Sequence, residues 1–111
     1  MTPTEPRVFL TQETALNVAQ ATRFGRLIAL LPRDRRVEQA PAPVLRELRR
    51  KLSTYSSADY LLLLGSPVII SMALYVAAEV NSGLVNVLVF DRRLNDYYPL
   101  SLDLFDRQPS L

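Results

Sequence analysis

Apolar residues in this chain gather into short runs separated by polar, proline-bearing or glycine-bearing links, and each run has a length that suits one element. "GRLIALLP", Gly25 to Pro32, is a continuous apolar run between a glycine and a proline, the pattern of a short strand covered on both faces. "RDRRVEQAPAP" after it is polar and proline-containing and reads as a surface loop. Pro43 then suits a first helical turn. Val44, Leu45, Leu48 and Leu52 recur on one side with arginines opposite, which predicts an amphipathic helix over Pro43 to Thr54.

"DYLLLLG", starting at Asp59, predicts a second buried strand. From Pro67 the chain is apolar almost throughout, interrupted by Ser71, Glu79 and Asn81, so a helix of about fifteen residues buried on most sides is expected. It should end at "NSG", where Gly83 can take the left-handed conformation that terminates helices. "LVNVLVF" is a third buried strand. "DRRLND" is a turn-like link, and "YYPLSLDL" alternates, with Tyr98, Leu100, Leu102 and Leu104 on one face and Tyr97, Pro99, Ser101 and Asp103 on the other. The Tyr98 face is expected to be the buried one, and Pro99 confines the strand to a sheet edge.

The ends carry less pattern. Residues 1–7, proline-rich and polar, and residues 105–111 are expected to be tails. Between them and the first strand, Thr11 or Thr14 could cap a short helix, or the segment could be partly extended; helical turns near Ala19 to Arg23 are favoured. The element order is β-α-β-α-β-β, a single small α/β domain over residues 1–111 with a mainly parallel four-stranded sheet and an antiparallel edge hairpin. Two helices cannot cover both faces of such a sheet. The remaining apolar surface must meet the amino-terminal segment or another copy of the chain, and a homo-oligomer, a dimer, is expected.

Composition then narrows the chemistry. The 111 residues include no cysteine and no histidine, which rules out a disulfide framework, thiolate or histidine metal sites, haem, and Ser-His-Asp or Cys-His catalysis. No cofactor is expected, and no pair of carboxylates, lysines, tyrosines or hydroxyls is spaced for catalysis. "MTPTEPRVFLTQET" lacks the basic start and apolar run of a signal peptide. The longest apolar window, Tyr60 to Ala78, is cut by Gly65, Ser66 and Pro67 into strand-sized and helix-sized pieces, so no membrane association is expected and the cytoplasm is the default location.

Three places could carry function. Gly65-Ser66-Pro67 joins a buried strand to a buried helix, where open α/β sheets bind anions, so Gly65 and Ser66 are candidates for a phosphate or nucleotide site. Against this, Ser66 is a good N-cap, Pro67 is a good first helical residue without an N–H to offer, and a lone glycine is not a phosphate-loop pattern. The net charge is only +2, but Arg33, Arg35, Arg36, Arg46, Arg49, Arg50 and Lys51 face only Asp34, Glu38 and Glu47 within one segment. Arg46, Arg49, Arg50 and Lys51 are candidates for contact with nucleic acid or an acidic partner, or simply the solvated face of a helix. Arg92, Arg93 and Tyr97, in and after the hairpin link, are candidates for a partner surface, as Tyr and Arg are favoured at interface hot spots. Asp59 reads as a turn residue.

The stretches "ATRFGRLIALLP", "ELRRKL" and "SADYLLLLGSPVIISMALYVAAEVNSGLVNVLVFDRRLNDYYPLSLDL" resemble a group of small proteins encoded by bacteriophages. The shared pattern is Ala-x-x-Phe/Tyr-Gly-x-Leu, then Asp-Tyr-(Ile/Leu)-Leu-x-x-Gly-Asp-Pro, a small-residue helix, and Trp-Asp-Arg-Gln followed by Tyr-x-Pro. This chain has Ser66 where Asp is usual, and Phe90 and Arg93 where Trp and Gln are usual. The resemblance implies a phage or prophage origin and a host-cytoplasmic setting, and carries no activity with it. The leading expectation is a non-enzymatic phage accessory protein, a small oligomeric domain binding a host or phage macromolecule. The alternatives are a nucleotide- or anion-binding protein using residues 65–67, and nucleic-acid binding through the basic helix 43–54.

Overall fold

The structure, a computed structural model, describes residues 5–106. Five strands form one sheet: β1 (Arg7–Leu10), β2 (Arg26–Ala29), β3 (Tyr60–Leu62), β4 (Leu84–Asp91) and β5 (Asp96–Asp103). Their spatial order is β2-β1-β3-β4-β5; the first four run parallel and β5 returns antiparallel to β4. Two α-helices, α1 (Pro41–Lys51) and α2 (Pro67–Val80), pack on each other and on one side of the sheet. The α/β class and the mainly parallel sheet with an antiparallel edge pair are as the apolar pattern predicts. The sheet among the described residues has five strands where four were expected.

The additional strand starts at Arg7, the last residue of the expected tail, and takes in Val8, Phe9 and Leu10 of the segment that was expected to be either helical or partly extended. "RVFL" is only four residues long and follows a proline-rich start, too short for periodicity to separate strand from coil. Tertiary pairing decides it, because β1 lies between β2 and β3 with Phe9 in the core on one side of the sheet and Val8 and Leu10 in that on the other. Arg7 anchors it. The Arg7 main-chain N–H donates to Asp59 Oδ1 at 3.1 Å and its guanidinium to Asp59 Oδ2 at 2.8 Å. Residues 1–4 and 107–111 of the expected tails lie outside the described residues.

Three further expectations change. "GRLIALLP" does contain a strand, but β2 is an edge strand with partly exposed faces; Leu30 and Leu31, just past its end, carry the burial. The loop 33–43 contains a 3-10 turn, Val37–Gln39, anchored by buried Val37, and α1 begins at Pro41 rather than Pro43 and stops at Lys51. Both prolines fall in the first turn, where N–H groups have no intrahelical partner. On β5 the face expected to be buried is mostly open: Tyr98 is 43% and Leu100 45% exposed, and it is Tyr97 that is buried. Alternation fixes which side chains share a face, not which face is covered: Leu102 of the Tyr98 face packs against the main core, while Tyr97 belongs to the cluster on the other side of the sheet.

The main core joins both helices to one side of the sheet through residues such as Phe9, Leu48, Leu61, Ile69, Val76 and Val87. The opposite side carries no α-helix among the described residues. A smaller cluster of Val8, Leu10, Ala21, Leu62, Leu88 and Tyr97 is covered by the segment between β1 and β2, whose 3-10 turn Ala19–Phe24 supplies Ala21 and Phe24. The helical turns favoured near Ala19 to Arg23 thus exist, and the amino-terminal segment takes part of the apolar surface that the helices leave open. α2 ends as expected, with Gly83 at φ +90 and its N–H donating to Ala78 O at 2.7 Å.

Candidate functional site

In the order β2-β1-β3-β4, the chain leaves β1 towards one edge and β3 towards the other, so their carboxyl ends flank the crevice where open α/β sheets hold ligands. The residues that line it are Thr11 and Gln12 after β1 and Leu64, Gly65 and Ser66 after β3. Thr11 Oγ1 donates to Leu64 O and accepts from Leu64 N at 2.7 Å, which zips the two chain ends together. Gln12 fills the space beyond. Its Oε1 accepts from Ser66 N at 3.1 Å, and its Nε2 lies 3.1–3.2 Å from the carbonyls of Pro32, Arg33 and Arg35.

Gly65 is required by this arrangement. It has φ +93, and a Cβ there would stand 2.0 Å from Gln12 Oε1. Ser66 caps α2, accepting from Val68 N at 3.2 Å, and Pro67 has no N–H. The Val68 and Ile70 N–H groups are thus engaged within the chain, by Ser66 Oγ and Ser66 O. Outside this plug an open cleft of about 460 Å³ is lined by Gln12, Arg33, Asp34, Arg35, Arg36, Glu38, Gly65 and Ser66. Gln12 is the residue that sequence reasoning missed; an amide in "FLTQET" carries no signal until the sheet order is known.

The basic residues divide into two groups. Glu47 accepts from Lys51 Nζ at 2.8 Å and from Arg35 Nη1 at 2.9 Å, and these bonds, that from Lys51 first, hold its carboxyl below the ordinary glutamate value. Lys51 also donates to Leu30 O, tying α1 to the end of β2. Arg49 pairs with Glu79 of α2 at 3.3 Å. Of the four helix candidates, Lys51 and Arg49 are thus engaged, while Arg46 and Arg50 are exposed with no bonded partner among the described residues.

At the hairpin, Arg92 and Arg93 are exposed in the turn, and Arg93 is only loosely paired with Asp91 at 3.9 Å. Tyr97 is not beside them on the surface. Its ring lies in the floor of the helix-free side, edge-on to Phe90 with centroids 5.2 Å apart, and burial raises its phenol above the ordinary value. Arg23 clamps its main chain, donating to Tyr97 O at 2.7 Å while pairing with Asp96, which in turn accepts from Tyr97 N. Arg23, first of all, holds the Asp96 carboxyl below its ordinary value.

Beside Tyr97 the 3-10 turn stops covering the sheet. An apolar groove of about 350 Å³ runs there, lined by Leu16, Leu62, Leu64, Leu88, Phe90 and Tyr97, with Leu63 and Asn17 at its margin. Leu16 is 70% and Phe90 44% exposed, and Leu94 at the hairpin tip is 71% exposed. No helix among the described residues is long and apolar enough to cross a membrane.

No curated protein and no solved structure matches the chain. A family model described as phage Pam3 gp32-like protein matches residues 6–104. That span takes in all five strands and both α-helices, and the chain belongs to the phage Pam3 gp32-like family.

Proposed function

We propose that the protein is a non-enzymatic phage accessory protein that acts in the host cytoplasm by holding a segment of another protein, of phage or host, in the apolar groove on the helix-free side of the sheet. The observation that carries this reading is the groove itself, where Leu16 and Phe90 expose apolar surface beside buried Leu62, Leu88 and Tyr97. The hairpin adds cations next to it, so the complementary segment is amphipathic, with apolar side chains for the groove and carboxylates for Arg92 and Arg93.

The rest of the molecule supports binding over chemistry. Asp59, Glu47, Glu79 and Asp96 are each held by a cation and tie elements together. The nucleotide reading has less to stand on, since the side chain of Gln12 takes the place at the switch crevice that a ligand would use.

Affinity capture from infected cells, comparing the wild-type chain with Leu16→Asp, Phe90→Asp and Arg46→Glu, tests the proposal. The proposal expects a partner retained by wild type and Arg46→Glu and lost with both groove variants. A captured protein indifferent to Leu16→Asp and Phe90→Asp would refute it. Sedimentation serves as the companion measurement, because a dimer dissolved by Phe90→Asp would make a second copy the occupant instead.

A further inference from the structure

Six arginine side chains have no bonded partner among the described residues: those of Arg26, Arg33, Arg36, Arg46, Arg50 and Arg92. Four of them lie on two consecutive elements, the loop after β2 and α1. Arg46 and Arg50 are one helical turn apart on the outer face of α1, about 6 Å along its axis. Arg36 lines the pocket at the start of that helix with Pro43 and Val44, and Arg33 and Arg36 share the cleft at the carboxyl ends of the strands. The stripe therefore runs from the loop after β2 along the helix.

The neighbouring cations are neutralised in place, Arg35 and Lys51 by Glu47 and Arg49 by Glu79, which separates the stripe from the structural ion pairs. Asp34 and Glu38 border the loop end, so the positive field is strongest towards Arg46 and Arg50. A second property distinguishes this surface from the groove. None of the exposed large hydrophobic side chains belongs to the loop after β2 or to α1, so the elements that carry the stripe offer charges without apolar anchors. A protein interface needs such anchors at its centre; a phosphate backbone needs only cations spaced along it.

We infer that Arg33, Arg36, Arg46 and Arg50 form a sequence-independent contact surface for the phosphate backbone of duplex nucleic acid. The stripe contains no aromatic ring for base stacking, which single-strand binding surfaces use, and so the duplex backbone is its ligand. With one charge per about 3.4 Å on each strand, Arg46 and Arg50 can take separate phosphates. Each neutralised phosphate releases counterions and gives the contact its salt dependence. This surface is independent of the groove and does not require it.

The test is fluorescence anisotropy with a labelled duplex of arbitrary sequence over a range of salt concentrations. Four phosphate contacts would give a slope of up to about −3.6 in log K against log salt. Arg46→Gln/Arg50→Gln, at exposed positions that leave the ion pairs of α1 in place, should lower the slope by about 2 and weaken binding at low salt at least about tenfold. Arg26→Gln should bind as wild type, and circular dichroism shows that each variant is folded. The inference is overturned by absence of binding at low salt, by an unchanged slope in Arg46→Gln/Arg50→Gln, by an equal loss in Arg26→Gln, or by polyglutamate competing as well as DNA of equal charge.

Discussion

Gln12 and Ser66, fifty-four residues apart in the chain, meet through Gln12 Oε1 and the Ser66 N–H at 3.1 Å, and that bond seals the crevice between β1 and β3. The same amide holds the loop after β2 through the carbonyls of Pro32, Arg33 and Arg35. One side chain thus joins three chain ends at the carboxyl edge of the sheet.

Replacing Gly65 with alanine is expected to destabilise the fold by about 2–4 kcal/mol, from the left-handed backbone and from the displaced Gln12 amide. Gln12→Ala should cost about 1–3 kcal/mol by leaving buried polar groups unpaired. Because both changes break the same contact, urea unfolding of the double variant should show a loss smaller than the sum.

Asp59 was read from the sequence as a turn residue, and it is one, accepting from Ser56 N at 2.9 Å. It is also fully buried and bound to Arg7 of β1. Asp59→Ala leaves the arginine without its partner and should cost about 3–5 kcal/mol in chemical denaturation. Arg7→Ala leaves a buried carboxylate unpaired and should fall in the same range.

These two residues mark where legibility ended. The elements flanked by glycine, serine or proline, β4, α2 and its Ser66 cap, follow from apolar runs and local capping chemistry, which act within a few residues. β1 was not legible because four residues carry too little periodicity, and what makes "RVFL" a central strand is Asp59, fifty-two positions away. For the site, arginines were visible as a cluster, but only the Glu47–Lys51 pair is local to α1; that Lys51 also reaches Leu30 O and that Arg49 finds Glu79, leaving Arg46 unpaired, depends on how α1 meets the end of β2 and α2. The groove was invisible because the alternation in β5 does not say that Tyr97 rather than Tyr98 is covered.

Acid should weaken the fold through Glu47 and Asp96. Both carboxyls titrate below their ordinary values of 4.5 and 3.8 in the folded chain, so their contribution is full above those values and is lost as pH falls through the folded ones. Thermal unfolding followed from pH 6 downward should show a falling midpoint, and Glu47→Gln should flatten part of that fall.

At the alkaline end the sign reverses. Burial pushes the Tyr55 phenol up to about 12, while in the unfolded chain it ionises at 10.0, so stability present below pH 10 is lost as pH rises towards 12. Tyr55→Phe should lower stability at neutral pH, since Asn86 N donates to this hydroxyl at 3.0 Å, and should flatten the alkaline limb of the unfolding curve.

Whether the helix-free side of the sheet is the working surface is tested by placing a photo-crosslinking amino acid at Leu16, in the groove, or at Val68, on the exposed side of α2, in the chain expressed during infection. A groove that holds a partner gives a discrete protein adduct from position 16, abolished by Phe90→Asp, and none from position 68. Adducts from position 68 alone, or an adduct at position 16 that survives Phe90→Asp, would overturn the proposal.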